Sequence, residues 1–197
     1  QCGTIAIVGQ PNVGKSTLLN YFVGTKLSIT SRKAQTTRYQ LLGIHSTKDT
    51  QYIFVDTPGY QLKHLNMLNR GLNKTVQQAL KEVDVILFLI EPGVLDQTDL
   101  KILSMIPEAT PVVLAINKVD LLKDKNKLLG YIKELDGLGR FQTIVPTSVK
   151  KSNNLEPLML ALKPFLPEQE FIFKEDELTD KNERFLAAEI VREKVFR

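Results

Sequence analysis

The sequence contains little cysteine or histidine, no tryptophan, and no long apolar run. One cysteine, Cys2, allows no disulfide within the chain, and two histidines leave little material for a metal cluster. The longest uninterrupted apolar stretch, Val85 to Ile90, is far shorter than the ~20 residues that cross a bilayer. Internal repeats and low-complexity tracts are also missing. These absences exclude a disulfide scaffold, a membrane-spanning helix and a repeat architecture.

The bulk composition describes an ordinary globular chain of 197 residues. A hydrophobic content of 43% and a charged content of 24% argue against disorder. The length suits one α/β domain with a small appendage but is short for two full domains. A net charge of +4 is compatible with a nucleic-acid partner, although it is common in proteins without one. Since the chain begins at Gln1 and soon enters an apolar run, we expect an excerpt of a cytosolic protein, with no signal peptide in this part.

Residues 9–17, GQPNVGKST, join an apolar, β-branched run to a stretch with helical spacing. Gly9 and Gly14 allow backbone conformations that point successive N–H groups into one concavity, and an anion fits there. We expect Lys15 to reach the β- and γ-phosphates of a nucleotide and the Ser16 hydroxyl to hold Mg²⁺. This is the P-loop pattern G-x-x-x-x-G-K-[ST]. The nucleotide-binding residues predicted here are Asn12, Val13, Gly14, Lys15, Ser16 and Thr17.

Strand-like and helix-like stretches alternate along the chain. The runs 41–45 and 51–55 flank a turn-prone STKDT and predict a hairpin. Further strands are predicted at 83–90, 110–116 and 143–148, and helices near 67–81, 124–135 and 155–166. The pattern predicts an α/β P-loop NTPase fold, with a mostly parallel six-stranded sheet and helices on both faces. Because ligands bind at the carboxyl ends of parallel strands, motifs that follow strands should meet in space.

The last part of the sequence has a different character. Residues 167–180 are rich in acids and have no clear period, so they predict a linker, and residues 181–197 are strongly helical. Asp180 and Glu183 have the spacing of a capping box for this helix. The helix also carries an apolar stripe, formed by Leu186, Ile190, Val191 and Val195. That stripe needs a partner surface, either on this domain or in a second domain that the helix opens.

The turn VDTPG, residues 55–59, ends an apolar strand with a carboxylate. Asp56 suits a water-mediated hold on Mg²⁺, and the Gly59 N–H can sense a γ-phosphate. In the polar loop at 28–40, Thr37 is the expected second metal ligand when γ-phosphate is bound, with Thr36 as its rival. We therefore predict Lys15, Thr37 and Gly59 as catalytic residues. The predicted metal-binding residues are Ser16, Thr37 and Asp56.

Two motifs after later strands point to guanine. In AINKVD, the Asp120 carboxylate matches the two donors on the Watson–Crick edge of guanine, whereas adenine offers an acceptor there. Asn117 can contact the other edge of the base, and the stem of Lys118 can lie against the ring. In TSVKK, the base O6 would be contacted by Ser148 and by the N–H of Val149 or Lys150.

Taken together, these motifs resemble those of a known family. GQPNVGKST, AQTTR, DTPG, NKVD and TSVKK, in this order, resemble the five guanine-nucleotide motifs of translation-factor-class small GTPases. The stretch ITSRKAQTTR and the tail RFLAAEIVREKVFR are similar to the bacterial Era family in particular. The resemblance covers essentially the whole chain.

This resemblance implies a GTP-hydrolysing switch that uses GTP, GDP and Mg²⁺ in assembly of the small ribosomal subunit. It implies a GTP-binding domain at 1–166, a linker at 167–180, and at 181–197 the first helix of a KH-type RNA-binding domain. The partners implied are 16S rRNA and the small subunit, reached through the missing KH domain. We also expect the protein to be a monomer located in the cytoplasm, with peripheral contact at the inner face of the cell membrane.

Catalysis leaves two questions open. Ras-like enzymes have a glutamine directly after the DxxG glycine, but here that residue is Tyr60 and Gln61 follows one position late. What orients the attacking water is therefore open. Asn12 matches an asparagine of potassium-stimulated relatives, so K⁺ is a further candidate cofactor.

The alternatives to an Era-like function are another GTPase of ribosome or tRNA metabolism, a P-loop ATPase or kinase, and a module that holds GTP without hydrolysing it.

Overall fold

The computed structural model describes residues 1–28, 41–60, 67–93 and 95–196, with backbone alone at 67–70 and 196. Within these residues six strands form one sheet in the order β2-β3-β1-β4-β5-β6. The strands are β1 (Cys2–Gly9), β2 (Leu41–Ser46), β3 (Gln51–Asp56), β4 (Val85–Ile90), β5 (Val112–Ile116) and β6 (Thr143–Pro146). All neighbouring strands are parallel except β2 and β3, which form the predicted hairpin. The predicted mostly parallel sheet is confirmed.

Helices cover both faces of the sheet, as predicted. They are α1 (Lys15–Val23), α2 (Met67–Ala79), α3 (Gln97–Met105), α4 (Asn126–Asp136), α5 (Leu155–Leu162) and α6 (Glu183–Phe196). Alternate side chains of each central strand enter opposite cores, because successive strand residues point to opposite faces. Ile5 and Ile7 pack with α1 and α5, while Ala6 and Val8 pack with α2, α3 and α4. β4 is buried on both faces, which explains its uninterrupted apolar sequence.

The helix α3 was not predicted from the sequence. Its first residues, QTDL, are mostly polar, so the apolar periodicity is weak. A clear signal lies in the capping residues instead: Asp96 accepts from Thr98 N and Asp99 N, and Asp99 in turn accepts from Asp96 N. This reciprocal arrangement is a capping box, which satisfies backbone donors that the first helical turn leaves unpaired.

The capping box predicted for α6 is wrong. The side chain of Asn182 accepts from Phe185 N at 2.9 Å and caps the helix. Asp180 lies two residues earlier, where its carboxylate accepts from Leu42 N and pairs with Lys181. Asp180 therefore fastens the linker to strand β2 instead of starting the helix.

The segment between α5 and α6 passes the starts of β1 and β3 and then reaches the outer edge of β2. Cys2 N donates to Pro167 O at 3.0 Å, and Ile44 N donates to Leu178 O at 2.9 Å. Between these points the buried Gln51 side chain accepts from Ile172 N and Phe173 N. The bond between Ile44 N and Leu178 O covers part of the outer edge of β2, which would otherwise have unpaired backbone groups.

The helix α6 contacts the domain by only part of the predicted stripe. Phe185 and Leu186 pack against the core shared with α1 and α5. The buried Glu193 carboxylate pairs with Lys26, which lies in the chain just after α1. The other three stripe residues are exposed: Ile190 by 46%, Val191 by 64% and Val195 by 78%. The helix is thus docked at one face and leaves an apolar face uncovered within the described residues.

Candidate functional site

The P-loop connects the carboxyl end of β1 to the first turn of α1. Gly9, Asn12 and Gly14 have φ values of 151°, 65° and 110°, a backbone region that L side chains rarely adopt. A Cβ on Gly9 would collide with the Leu89 carbonyl oxygen. A Cβ on Gly14 would collide with the Asn117 amide nitrogen. These glycines are therefore required both by the turn and by the close approach of neighbouring segments.

Lys15 is folded back onto its own loop. Its ammonium donates to Gly9 O at 3.2 Å and to Gln10 O at 2.7 Å, and the side chain is buried. Burial lowers the pKa of Lys15 to about 8, and the Asp56 carboxylate partly opposes that effect. The loop thus holds a cation over the helix N-terminus, where an incoming phosphate can exchange with the two carbonyls.

Asp56 stands at the end of β3, where two hydroxyl groups converge on its carboxylate. Ser16 Oγ donates to Asp56 Oδ2 at 2.9 Å, so two of the residues predicted to hold the metal are adjacent. Ser28 Oγ donates to the same oxygen at 2.7 Å, a contact that sequence reasoning did not find. Hydroxyl and carboxylate oxygens are the hard donors that Mg²⁺ prefers, so the residues present fit this ion.

Two hydrogen bonds tie the DTPG turn to β1 and to the start of the P-loop. Thr57 Oγ1 donates to Ile7 O at 2.8 Å, and Tyr60 N donates to Gly9 O at 3.3 Å. A Cβ on Gly59 would lie 2.7 Å from Pro11 Cα, so only glycine fits between the two loops. The side chain of Tyr60 is 5% exposed and packs in the core with Val76 and Leu80. Tyr60 is therefore a core residue in this structure.

Asn117, after β5, links three parts of the site. Its side-chain nitrogen donates to Val13 O at 2.8 Å, and its side-chain oxygen accepts from Val149 N at 3.1 Å. The side chain is buried, which strengthens both bonds. Asn117 thus joins the P-loop to the TSVKK segment. Because the Val149 N–H is already used, Lys150 is the better of the two predicted donors to the base.

Lys118 and Asp120 lie at the outer rim. Lys118 has a left-handed φ of 63°, and its ammonium bonds Asn12 O at 2.7 Å and pairs with Glu91. Asp120 Oδ1 accepts from Ser148 Oγ at 2.6 Å, which orients the carboxylate. The sequence motifs at 117–120 and 147–151 therefore form one structural unit beside the P-loop.

The site residues fall into two groups. The structure brings together the P-loop, Asp56, Gly59, the NKVD segment and the TSVKK segment at the carboxyl ends of β1, β3, β5 and β6. Thr36, Thr37 and Gln61 lie outside the described residues. Asn20, Ser28, Thr57 and Glu91 were not predicted. Ser28 and Glu91 contact residues far away in sequence, so no local pattern marks them. Asn20 bonds the chain 7 and 8 residues further on, and Thr57 lies within the DTPG motif but had been assigned no role.

The described residues contain no helix that is both long and apolar enough to cross a membrane. The residues of the site lie within a region of the chain that matches a known protein family. Residues 4–118, more than half of the chain, match the family described as 50S ribosome-binding GTPase. The match includes the P-loop, the DTPG turn and the beginning of the NKVD motif.

Individual relatives agree with this family and are more specific. GTPase Era of Nitrosomonas eutropha is 50% identical over 197 residues, which is 100% of this chain and 67% of that protein. GTPase Era of Chromobacterium violaceum is 48% identical over 196 residues, which is 100% of this chain and 66% of that protein. The chain therefore spans about two thirds of the length of these relatives.

Solved structures of Era proteins have the same fold. A variant of Era from Aquifex aeolicus bound to GDP and aluminium fluoride has a TM-score of 0.91 and 42% identity, over 98% of this chain and 66% of that one. Era in complex with MgGDPNP and nucleotides 1506–1542 of 16S ribosomal RNA has a TM-score of 0.92 and 43% identity, with the same coverage. Given the motifs, their arrangement in the fold and these relatives, the chain belongs to the Era family of GTPases, enzymes that hydrolyse GTP.

Proposed function

We propose that this chain is the GTP-binding and GTP-hydrolysing part of a switch protein that acts in assembly of the small ribosomal subunit. The observation that carries the nucleotide-binding part of the proposal is the position of Asn117, and the similarity to Era proteins supports the ribosomal part. Its side chain joins a phosphate-binding loop at Val13 to the segment that carries Ser148 and Val149. A phosphate cradle and an acceptor for guanine are thereby held as one rigid site.

Guanine selection rests on Asp120. Its two carboxylate oxygens can accept from the N1–H and the exocyclic amine of guanine, and the Ser148 hydroxyl holds the group in place. Adenine presents an acceptor at the N1 position, so binding it would leave a carboxylate oxygen facing a lone pair. The N–H of Lys150 is proposed to contact O6, and the Lys118 stem to lie along the ring.

The phosphates are proposed to lie over the first turn of α1. There the loop amides from Asn12 to Thr17 and the Lys15 ammonium neutralise charge that develops during in-line attack by water. Ser16, Asp56 and Thr37 would hold Mg²⁺, which when bound supplies positive charge between the β- and γ-phosphates. Gly59 is proposed to contact the γ-phosphate through its N–H. With Tyr60 in the core, the group that orients water lies elsewhere.

Stimulation by K⁺ is a further part of the proposal. Asn12 has a left-handed φ of 65°, and its side chain is exposed at the mouth of the loop. An Asn12→Gly variant removes the side-chain oxygen but keeps a residue that accepts this backbone conformation. We expect wild-type turnover of GTP to be faster in KCl than in NaCl at equal ionic strength, and the variant to lose that difference. Equal rates in the two salts for the wild type would contradict the K⁺ site.

The domain organisation and the partners are also proposals. The described structure is consistent with a GTP-binding domain at 1–166, a linker at 167–180, and a helix at 181–197 that opens a KH-type domain. The uncovered apolar face of α6 and the greater length of the relatives support this division. The Era complex with a 16S rRNA fragment supports an rRNA partner for the longer protein. A monomeric state, a cytoplasmic location and peripheral contact with the membrane stay predictions.

The proposed guanine site is tested by changing its specificity. An Asp120→Asn variant replaces one acceptor oxygen by a donor, which suits the second carbonyl of xanthine in place of the guanine amine. We expect GTP affinity to fall by about 100-fold or more while xanthosine triphosphate becomes the preferred ligand. Competition of both nucleotides against fluorescently labelled GDP measures this switch. Persisting GTP preference in a folded variant would refute the role of Asp120.

A further inference from the structure

The carboxylate of Asp56 is held from two sides, and only one of them belongs to a recognised nucleotide motif. Ser16 donates to Asp56 Oδ2 from the P-loop at 2.9 Å. Ser28 donates to the same oxygen at 2.7 Å, from the chain that leads away from α1. Ser28 is 5% exposed and Asp56 is fully buried, so this hydrogen bond is shielded from water. A charge-assisted bond in such surroundings is stronger than one at the surface.

Ser28 is itself fixed by one side chain of α1. Asn20 Oδ1 accepts from Leu27 N at 2.9 Å and from Ser28 N at 2.8 Å. Asn20 Nδ2 donates to Ser28 O at 2.8 Å. The carboxamide therefore pairs with three backbone groups and defines the path of residues 27 and 28. The neighbouring Leu27 side chain is buried, which anchors the same short segment in the core.

We propose that Ser28, held by Asn20, is a positioning residue for the metal-binding carboxylate of Asp56. This inference rests on the proposed function, since it assumes that Mg²⁺ binds with the nucleotide at Ser16 and Asp56. With Ser28 in place, one oxygen of Asp56 is fixed by two donors and the carboxylate plane is set before the ion arrives. Without the Ser28 hydroxyl, that oxygen would lose its shorter hydrogen bond and be held less firmly.

Loss of the Ser28 hydroxyl should affect the binding of Mg²⁺ but not the binding of the nucleotide itself. Within the described residues, the hydrogen bonds of the Asn20 and Ser28 side chains go to Leu27, Ser28 and Asp56 and not to Lys15 or the base-binding segments, so their loss should spare the phosphate cradle. We therefore expect Ser28→Ala to raise the Mg²⁺ concentration at which GDP affinity is half-maximally enhanced by about 10-fold. The affinity for GDP in excess chelator should stay within about twofold of the wild type.

The experiment titrates Mg²⁺ against the full chain with fluorescently labelled GDP. Ser28→Thr keeps a hydroxyl and should restore most of the wild-type Mg²⁺ dependence. Ser104→Ala is the matched control, because Ser104 is exposed and, among the described contacts, its hydroxyl donates only to Lys101 O within α3. Asn20→Ala should shift the Mg²⁺ dependence in the same direction as Ser28→Ala, and the double variant should shift it by less than the product of the two single effects.

The outcomes distinguish the inference from the proposed function. A wild-type chain that binds GDP without any response to Mg²⁺ would overturn the proposed metal site and, with it, the inference. A Ser28→Ala titration identical to the wild type would overturn the inference alone. If Ser28→Ala does not fold, Ser28→Cys, which keeps the shape but donates weakly, replaces it. An unchanged Mg²⁺ dependence of that folded variant would equally overturn the positioning role.

Discussion

Asn117 donates its side-chain amide to the carbonyl of Val13 at 2.8 Å, although the two residues are 104 positions apart. One polar side chain at the end of β5 thus sets the distance between the P-loop and the base-binding segments. The same side chain accepts from Val149 N, so its removal would leave a buried N–H and a buried carbonyl unpaired.

Replacing this side chain should weaken nucleotide binding severely. For Asn117→Ala we expect GDP affinity to fall by about 10-fold to 100-fold, since each buried group left unpaired costs roughly 1–3 kcal/mol. Isothermal calorimetry with GDP measures the loss. Asn126→Ala, which removes an exposed amide at the start of α4, serves as the control. Wild-type affinity in a folded Asn117→Ala variant would show that the two loops do not depend on this bond.

The lowered pKa of Lys15 predicts a pH dependence of binding. Phosphates pair with the ammonium form, but in the free protein burial lowers the pKa to about 8. Above that pH, binding must take up a proton, so GDP affinity should fall by up to about tenfold per pH unit. The free energy of unfolding of the free protein should instead rise with pH between about pH 8 and 10.5. In that range Lys15 is protonated in the unfolded chain and neutral in the folded chain, so raising the pH favours the folded state.

The pH series is measured between about pH 7 and 9, because guanine itself ionises at higher pH. A Lys15→Arg variant keeps its charge over this range, so its residual pH dependence reports all other groups. Identical pH profiles for Lys15→Arg and the wild type would show that Lys15 is already charged in the free protein.

A methyl group at position 59 should separate the DTPG turn from the P-loop. The new Cβ would lie 2.7 Å from Pro11 Cα and N, which are backbone atoms that cannot swing away. We expect Gly59→Ala to destabilise the chain by about 1–3 kcal/mol and to weaken binding of GTP more than that of GDP. Gly130→Ala is the matched control: it has open space in α4 and should stabilise the chain by about 0.5–1 kcal/mol. Thermal melts and affinities for both nucleotides test this pair, and equal effects of the two substitutions would contradict it.

The ion pair between Lys26 and Glu193 should hold α6 on the domain. Glu193→Gln removes the charge of a buried carboxylate, so we expect the amides near Phe185 and Leu186 to exchange about fivefold faster with deuterium. Glu189→Gln is the control, because Glu189 pairs with Arg192 within the same helix. If both variants exchange alike, the docking of α6 depends on its apolar contacts alone.

Much of the fold could be predicted because local signals agree with the final packing. The apolar run of β4 reflects burial on both faces, and the alternation of strands with helices implies the parallel sheet. The helix α3 escaped prediction because its apolar positions are few and its start is defined by polar capping groups. The α6 cap was misassigned because Asp180 and Asn182 are both good capping residues, and only the contact of Asp180 with Leu42 distinguishes them.

The site was predictable where phosphate and base chemistry demand particular residues in a short span. Lys15, Asp56 and Asp120 lie within such motifs, and the fold brings their segments together. Asn20 and Ser28 were invisible because their role depends on a contact with Asp56 that joins three separate segments. The use of Val149 N–H by Asn117 was hidden for the same reason, since it is a tertiary contact between two recognised motifs.

The site formed by the P-loop and the segments at 117–120 and 147–151 is proposed to select guanine and to support hydrolysis of the nucleotide. The direct measurement is the turnover of GTP and ATP by the purified chain at saturating nucleotide with Mg²⁺, alongside the affinity for each nucleotide in competition with labelled GDP. We expect GTP turnover with no measurable ATP turnover, and a preference for GTP over ATP of at least about 100-fold in binding. Equal binding and turnover of ATP would contradict the guanine site built from Asn117, Asp120 and Ser148.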